Sequence, residues 1–285
     1  MVHDDKIWFI TGATSGFGLA LAEEVLARGA RAVLVGRRAD RLAALAMPHG
    51  DRALPIAIDV TDAAARNRAV AEALEKFGRI DVLANIAGRG SLGAVEEFAA
   101  DQLRDQLELN FFAAAELTRA VLPAMRAQRS GHILNLTSVG GLVSMGGFGA
   151  YCAAKFALEA WSEALRDEVA PLGIRVTLVE PGAFRTEFAG DVNMRPAHPI
   201  AAYRGVIAPV EDYLYGSAGA QPGDPAKAAQ LMIAVTEAAS APMRLMMGAD
   251  AFGMWEQTLV ARLADLDTWK AAGIATAFEP ALADA

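Results

Sequence analysis

A glycine-rich turn lies between an apolar stretch and an amphipathic stretch near the start of the chain. The segment KIWFITGATSGFGLALAEEVLARG runs from Lys6 to Gly29. Residues 7–10 are apolar throughout, as in a strand covered on both faces, and residues 19–28 have the apolar spacing of a helix. A strand that turns sharply into a helix begins a βαβ unit, so this segment predicts a parallel sheet.

The same alternation of apolar strands and amphipathic helices continues through most of the 285 residues. Strands joined by helices form a parallel sheet with helices on both faces. No change of composition divides the chain, so we expect a single domain over residues 1–285 with a core over about 6–250. The predicted strands are 32–35, 54–60, 80–88, 131–141, 174–182 and 242–248, and the predicted helices are 63–77, 101–127 (as one helix or two), 151–172 and one capped by Asp224.

Two segments depart from this alternation. Residues 186–224 lack a clear period and contain four prolines and four aromatic side chains, which predicts a substrate lobe of loops and short helices. From about residue 250, apolar residues recur at steps of three or four, as on one face of a helix. We expect this C-terminal helical extension, residues 250–285, to pack on the body of the protein or on a second copy.

The glycines of the first turn, TGATSGFG, allow the backbone to approach a phosphate group closely. Gly12, Gly16 and Gly18 stand where the first helix begins, and the free N–H groups and positive dipole end of a helix start attract anions. Such a turn between strand and helix is the place where a dinucleotide pyrophosphate binds. Tight-turn glycines without a ligand are the alternative that this context disfavours.

The end of the second strand, VLVGRR, bears on which dinucleotide would bind. NAD-binding proteins of this kind have an acidic residue here that holds the ribose 2′-hydroxyl. Gly36 stands near that place, and Arg37 and Arg38 follow. Because arginine binds phosphate through two parallel hydrogen bonds, the pair favours NADP(H), with Arg37 as the predicted ligand of the 2′-phosphate. NAD(H) stays possible, since an arginine here could simply be solvated.

Charge and composition disfavour several classes of function. The net charge of −8 disfavours nucleic acid and anionic membranes as partners, and no apolar run reaches the roughly 18 residues of a membrane span. The single cysteine and the four histidines lack the spacing of metal ligands. The start of the chain has no pattern of a secretion signal, so a cytoplasmic protein without a bound metal is expected.

The stretch YCAAK places Tyr151 and Lys155 four positions apart, on one face of a predicted helix. Such pairs are common by chance, but these residue types suit acid–base chemistry. A free tyrosine has a pKa of about 10, and a nearby ammonium would stabilise the phenolate and lower that pKa. The pair is a candidate proton donor with its cationic neighbour, for a reaction in which a carbonyl oxygen gains a proton.

Five motifs in order give the chain a resemblance to the short-chain dehydrogenase/reductase family. They are TGATSGFG, Asp59 within IDV, NIAG at residues 85–88, the NLTS that ends in Ser138, and YCAAK. Asn110 and the segment PGAFRT at residues 181–186 also fall where the family has functional residues. The resemblance implies a Rossmann-type, doubly wound, three-layer α/β/α fold and an oxidoreductase of the Ser-Tyr-Lys type.

The resemblance also implies roles for individual residues. Tyr151 would be the general acid in reduction and the base in oxidation, and Ser138 would hydrogen-bond the substrate oxygen. Lys155 would hold the nicotinamide ribose and favour the phenolate, and Asn110 would support a water chain to solvent. The residues expected to contact the cofactor are Gly12, Thr14, Ser15, Gly16, Phe17, Gly18, Arg37, Arg38, Asp59, Val60, Asn85, Ala87, Gly88, Tyr151, Lys155, Pro181, Gly182, Phe184 and Thr186.

The sequence departs from the family pattern at three positions. Ile86 stands where a second asparagine is common, and Phe17 replaces the commoner isoleucine. Ser15 occupies a position that is often basic in NADP users, so the preference for NADP could be partial. The resemblance further implies a homodimer or homotetramer built on helices near residues 102–128 and 151–172.

These observations predict an NADP(H)-dependent enzyme that interconverts a small-molecule ketone or aldehyde with its alcohol by hydride transfer. The aromatic and aliphatic residues of the lobe favour an apolar or aromatic substrate, while Arg185, Arg195 and Arg204 leave an acidic one open. One alternative is a 3-oxoacyl thioester reductase of fatty-acid type. Another is a catalytically silent NADP-sensing protein, which has no chemical reason to keep all four candidate catalytic residues.

Overall fold

Seven parallel strands form one sheet in the order β3-β2-β1-β4-β5-β6-β7. The computed structural model describes residues 6–190, 193–216 and 218–278, so both ends of the predicted domain, residues 1–5 and 279–285, lie outside the described residues. The strands are β1 Ile7–Thr11, β2 Arg31–Gly36, β3 Ala53–Ala57, β4 Val82–Asn85, β5 Gly131–Leu136, β6 Ile174–Pro181 and β7 Arg244–Met247.

Helices cover both faces of this sheet. A π-helical turn at Glu108–Phe112 joins α4 to α5, so the predicted helix over 101–127 is continuous but locally widened. The α-helices are α1 Gly16–Ala27, α2 Ala39–Ala46, α3 Ala63–Phe77, α4 Ala100–Leu107, α5 Ala113–Gln128, α6 Gly149–Val169, α7 Arg204–Gly216, α8 Pro225–Glu237 and α9 Ala249–Ile274. The predicted Rossmann-type α/β/α architecture is confirmed.

Two apolar clusters form the core, one on each face of the sheet. Trp8 and Ile10 of β1 belong to the cluster that includes Leu21 of α1. Phe9, between them, belongs to the opposite cluster with Leu117 of α5. Successive side chains of a strand point to opposite faces, so a strand with helices on both sides is apolar along most of its length, as β1 is from Ile7 to Ile10.

The strand order places the candidate site. β1 pairs with β2 on one side and with β4 on the other, so the connections diverge at this point of the sheet. Ligands of open parallel sheets bind beyond the carboxyl ends of the strands at such a switch point. The turns after β1, β2, β4, β5 and β6 therefore meet at one edge, which brings distant motifs of the sequence together.

The structure differs from the sequence prediction in helices α2 and α7 and in the ends of several strands. Strand β4 covers 82–85 rather than 80–88, and β5 covers 131–136 rather than 131–141. Helix α2 was not predicted, because eight residues are too few to show a convincing helical period. The lobe contains a full helix, α7, although Pro209 interrupts its apolar pattern and Ile207 is its one buried residue among those described. Strand β3 ends at Ala57 rather than Val60. Asp224 does cap α8, accepting a hydrogen bond from the Ala226 N–H at 2.9 Å.

Candidate active site

The turn after β1 can be built only with glycine at critical positions. Gly12 and Gly16 have positive φ, at 69° and 51°. A Cβ on Gly18 would lie 2.3 Å from the Gly12 carbonyl oxygen, closer than any real contact. Ser15 precedes α1 without capping it through its side chain, so the first N–H groups of the helix face the cleft. This backbone cradle fits an anionic phosphate.

A cleft opens from this turn across the ends of β1, β2 and β4. Hydrogen bonds from Thr61 lower the pKa of the Asp59 carboxyl although its burial opposes that shift, so Asp59 is ionised at neutral pH. Most of the predicted cofactor residues line this cleft, namely Gly12, Thr14, Ser15, Gly16, Phe17, Arg37, Arg38, Asp59, Val60, Ala87, Gly88 and Thr186.

The two arginines after β2 have different surroundings. The Arg37 side chain is 77% exposed and lies 3.8 Å from the Asp59 carboxylate. Arg38 instead donates to the Thr14 hydroxyl at 3.0 Å and to the Thr14 carbonyl at 2.9 Å. Arg38 thus fixes the glycine turn, whereas Arg37 can turn toward a phosphate at the mouth of the cleft.

Two predicted cofactor residues lie behind the cleft wall. The Asn85 side chain is buried and donates to Asn135 Oδ1 at 2.9 Å and to Thr118 Oγ1 at 3.2 Å. Asn85 therefore ties β4 to β5 and α5, and its side chain is directed into the core. Gly18 likewise packs against the Gly12 backbone, so its place in the motif reflects close helix–strand approach.

The candidate catalytic residues converge where β5 ends and α6 begins. Ser138 follows β5, and its Oγ accepts from the Gly140 N–H at 3.0 Å and hydrogen-bonds the phenol of Tyr151. Lys155, one turn along α6, lies with its Nζ 5.8 Å from the Tyr151 ring centre. Lys155 donates to the Leu136 carbonyl at 2.8 Å, which holds the ammonium at the end of β5.

Burial governs the ionisation of both α6 residues. It raises the pKa of the Tyr151 phenol above the ordinary value of 10, with the Ser138 hydrogen bond acting weakly in the other direction. It also lowers the pKa of the Lys155 ammonium to about 8. The lowering of the Tyr151 pKa expected from Lys155 is therefore absent in the chain by itself, because desolvation penalises the phenolate more than the ammonium stabilises it.

Asn110 lies in the π-helical turn between α4 and α5. Its Nδ2 donates to the Arg89 carbonyl at 3.0 Å and to the Gln106 carbonyl at 3.2 Å, and its Oδ1 accepts from the Arg89 N–H at 3.3 Å. A Cβ on Gly88 would lie 2.7 Å from Asn110 Oδ1 and 3.5 Å from Lys155 Nζ. Asn110, Gly88 and Lys155 are thus close neighbours, as the predicted proton path requires.

A second, mostly apolar pocket is lined by Ser138 and Tyr151 and adjoins the cleft at Gly88, Leu136 and Thr186. The Tyr151 ring lies between two phenylalanines, with ring centres 6.3 Å from Phe148 and 5.5 Å from Phe188. The predicted residues Pro181, Gly182 and Phe184 line this pocket. Its other apolar lining residues include Ile86, Val139, Val143, Met145, Leu214 and Met254.

Sequence reasoning missed two polar residues of this site. Arg89 lines both the cleft and the apolar pocket; its place directly after NIAG was the available signal. Asp250 at the start of α9 accepts from the Ala183 N–H at 2.7 Å and lines the apolar pocket. No local pattern connects Asp250 with PGAFRT, because the contact joins segments 67 residues apart.

A buried carboxyl pair lies behind the catalytic residues. Glu159, one turn after Lys155 on α6, and Glu180 at the end of β6 both bond Arg244 of β7, which also pairs with Glu163. Burial raises the pKa of both buried carboxyls, to about 7 for Glu180. Because buried carboxyls crowd around one guanidinium, the neutral form of Glu180 is favoured more strongly than it is in water.

Within residues 6–190, 193–216 and 218–278, no helix combines the length and the apolar character that crossing a bilayer requires. Nor does any group of three or more His, Cys, Asp or Glu side chains there have an arrangement suited to a metal ion.

Known proteins resemble the chain over most of its length. The sequence profile of the short chain dehydrogenase family matches residues 6–197. An oxidoreductase of Botryotinia fuckeliana, BOA17, is 36% identical over 273 residues, covering 95% of this chain and 99% of that protein. A 3-ketodihydrosphingosine reductase of Bacteroides thetaiotaomicron is 37% identical over 190 residues, covering 66% of this chain and 68% of the relative.

Solved structures give the same result. A short-chain dehydrogenase from Streptomyces avermitilis is 42% identical, with a TM-score of 0.89 over 96% of this chain and 99% of that one. An enzyme from Burkholderia phymatum solved with NAD is 25% identical, with a TM-score of 0.79 over 92% and 94% of the two chains. One from Burkholderia cenocepacia solved with NADP is 26% identical, with a TM-score of 0.71 over 92% and 96%. The chain belongs to the short-chain dehydrogenase family of oxidoreductases.

Proposed function

We propose that the protein is an NADP(H)-dependent oxidoreductase that interconverts an apolar or aromatic ketone or aldehyde with its alcohol. One observation carries the proposal: Ser138, Tyr151 and Lys155 line the apolar pocket, which shares Gly88, Leu136 and Thr186 with the cleft of the glycine turn. A proton donor, a polar group that can orient an oxygen, and a cation thus line an apolar pocket that adjoins a phosphate-binding cradle.

The cleft suits a nicotinamide dinucleotide. The glycine cradle would hold its pyrophosphate, Asp59 its adenine, and Lys155 its nicotinamide ribose; when bound, the cofactor supplies or accepts the hydride. The NADP-bound Burkholderia cenocepacia structure supports NADP, and the NAD-bound relative keeps NAD open. The preference for NADP rests on Arg37, whose exposed guanidinium stands at the mouth of the cleft.

The chain's own residues would move the proton. Burial keeps the Tyr151 phenol protonated, so this group can donate to a carbonyl oxygen as that oxygen gains negative charge. Ser138 would hold the oxygen through its hydroxyl. Lys155 would pass a proton to restore the phenol, and Asn110 would support the water chain that connects the lysine to solvent, since both side chains lie next to Gly88. Proton transfer of this kind contributes roughly 10²–10⁴-fold in rate.

The pocket favours an uncharged substrate. Arg195 and Arg204 both pair with Glu211, and Arg185 donates to the Gln221 carbonyl, so all three arginines of the lobe are engaged. The lining near Tyr151 is aromatic and aliphatic, which suits an apolar chain or ring. The relative named 3-ketodihydrosphingosine reductase supports a ketone as the substrate class.

The decisive experiment is oxidation of NADPH and of NADH with a panel of ketones, aldehydes and 3-oxoacyl thioesters. The expected result is turnover with apolar ketones and NADPH, and a loss of roughly 10²–10⁴-fold in kcat for Tyr151→Phe with the Kd of NADPH unchanged. Phenylalanine keeps the ring packing, so the loss would reflect the hydroxyl. Turnover on thioesters alone would favour the fatty-acid alternative. Tight NADPH binding without turnover would favour a silent sensor.

A further inference from the structure

The second half of helix α9 extends away from the rest of the molecule, beyond Arg262, which donates to the Leu142 carbonyl at 2.7 Å. The helix runs from Ala249 to Ile274, and at about 1.5 Å per residue it spans roughly 39 Å. Ala251 at its start is buried, but every residue from 259 to 278 is exposed. A helix without tertiary packing is marginally stable in water, so this one needs a partner surface.

The exposed part of α9 is strongly apolar. The exposed fractions of its large apolar residues run from 41% at Leu259 to 74% at Trp269. Five of these residues recur at steps of seven, four, three and eight, which keeps them on one face of a helix. They are Phe252, Leu259, Leu263, Leu266 and Ile274. Val260 and Trp269 flank this face. We call these seven residues the α9 stripe.

The charges on α9 discriminate between possible occupants. Three carboxylates (Glu256, Asp265 and Asp267) oppose two cations (Arg262 and Lys270) between residues 256 and 270. Helices that lie on anionic membranes have a polar face rich in Lys and Arg. Helix α9 instead has more carboxylates than cations over this range. Its mixed charges fit the surface of another protein helix better than a lipid headgroup layer.

The order of residues along the stripe is self-complementary about Leu263. Glu256 and Lys270 each lie seven residues from it, Phe252 and Ile274 each eleven, and Val260 and Leu266 each three. Two antiparallel copies crossing at Leu263 would set Glu256 of each helix opposite Lys270 of the other. A twofold interface requires this reciprocity, in which one surface matches itself.

We propose that the α9 stripe is the contact surface of a homodimer in which the two α9 helices pack antiparallel, crossing at Leu263. Each large stripe residue offers on the order of 100 Å² of exposed surface. Seven of them approach the roughly 800 Å² per partner of a stable protein interface. Lys270 lies 3.6 Å from Asp267 of its own helix, and both side chains are exposed. Because an exposed ion pair contributes little stability, Lys270 can leave Asp267 and pair with Glu256 of the second copy at little cost.

The first test is the molar mass in solution of the full chain, measured by light scattering during size-exclusion chromatography. Leu263→Glu with Leu266→Glu is expected to halve the mass of the wild-type assembly, whatever other interfaces it has. The matched control is Ala261→Glu with Thr268→Glu, on the opposite face of α9, which is expected to leave the mass unchanged. Both double variants alter exposed residues, so circular dichroism should show equal folding. An unchanged mass for the stripe variant would overturn the proposal.

A charge exchange tests the register. Lys270→Glu alone sets two carboxylates opposite each other at both ends of the crossing and should shift the assembly toward half mass. Adding Glu256→Lys restores opposite charges and should restore the wild-type mass. A double variant that stays at half mass would overturn the antiparallel register. Wild-type protein that is monomeric yet binds neutral lipid vesicles through α9 would overturn the choice of occupant.

Discussion

The cofactor side and the substrate side of the site are built by different means. On the cofactor side, β1 is buried at all five positions and pairs with strands on both sides, so backbone hydrogen bonds place the turns. On the substrate side, side chains hold the lobe. Glu97 accepts from the Ile200 N–H at 2.6 Å, and Asn193 bonds the Gly90 N–H and the Tyr215 hydroxyl, each at 3.0 Å.

This difference has a consequence for both regions. A residue that follows a sheet strand is positioned by the backbone hydrogen bonds of the sheet. A substitution that disturbs this backbone therefore affects the whole site. A residue placed by a side-chain tie can be released by itself. We therefore expect damage on the cofactor side to be large and general, and damage on the lobe to be smaller and confined to the substrate.

The largest effect is expected from Gly18→Ala. The new Cβ would meet the Gly12 carbonyl oxygen at 2.3 Å, so the turn and the start of α1 must move apart. We expect the Kd of NADPH to rise at least about 100-fold, or the chain to fail to fold, as read by isothermal titration and circular dichroism. Gly253→Ala in α9 is the control, because nothing lies within 4 Å of its Cβ. Helix propensity there favours alanine by up to about 1 kcal/mol.

The next effect separates the two arginines of the cofactor side. Arg37→Ala is expected to raise the Kd of NADPH roughly 10–100-fold and to leave the Kd of NADH unchanged, since a charge-assisted hydrogen bond is worth about 1.5–3 kcal/mol. Arg38→Ala removes two hydrogen bonds to Thr14 and should weaken both cofactors alike. Equal losses for NADPH and NADH in the Arg37 variant would refute its role at the 2′-phosphate.

A smaller effect is expected where a side chain holds the lobe. The Glu97 carboxylate accepts from the N–H groups of Ala94 and Ile200, both at 2.6 Å. Glu97→Ala should raise the substrate KM about 3–10-fold while the Kd of NADPH stays constant, because charged hydrogen bonds contribute about 1.5–3 kcal/mol and part of this is recovered by water. Glu97→Gln keeps one acceptor and should recover part of the loss. A matching fall in NADPH affinity would contradict the separation of the two sides.

The smallest effect concerns the carboxyl pair behind the site. Burial raises the pKa of Glu180 to about 7, above its ordinary value of about 4.3. A raised carboxyl pKa gives a stability contribution that is complete below pH 4.3 and is lost as pH rises to 7. Glu180→Gln cannot ionise, so its free energy of unfolding relative to that of wild type should increase over this window, as measured by chemical denaturation at each pH. A constant difference across pH would show that Glu180 does not hold a proton.

The sequence predicted the cofactor side better than the substrate side. TGATSGFG, NIAG and YCAAK identified backbone turns and one helix face, which depend on residues close together in the chain. Arg89 was not predicted as a site residue, because its position between the cleft and the apolar pocket depends on tertiary packing. Helix α7 was not predicted because it contains a proline and a single buried residue, so its sequence shows no clear helical period. The sequence favoured Arg37 over Arg38 as the phosphate ligand, and the hydrogen bonds of Arg38 to Thr14 supply the structural difference between the two arginines.

The sequence by itself determined the alternation of strands and helices, the parallel sheet, the glycine turn and the four residues proposed for catalysis. The strands, helices and turn follow from local periodicity and from residue types whose conformational limits act at short range, and the four residues follow from the resemblance of their motifs to a known family. Tertiary structure alone decided the raised pKa of Tyr151, the raised pKa values of Glu159 and Glu180, the contact of Asp250 with the turn after β6, and the exposure of α9. These depend on burial and on contacts between distant segments, which no local pattern encodes.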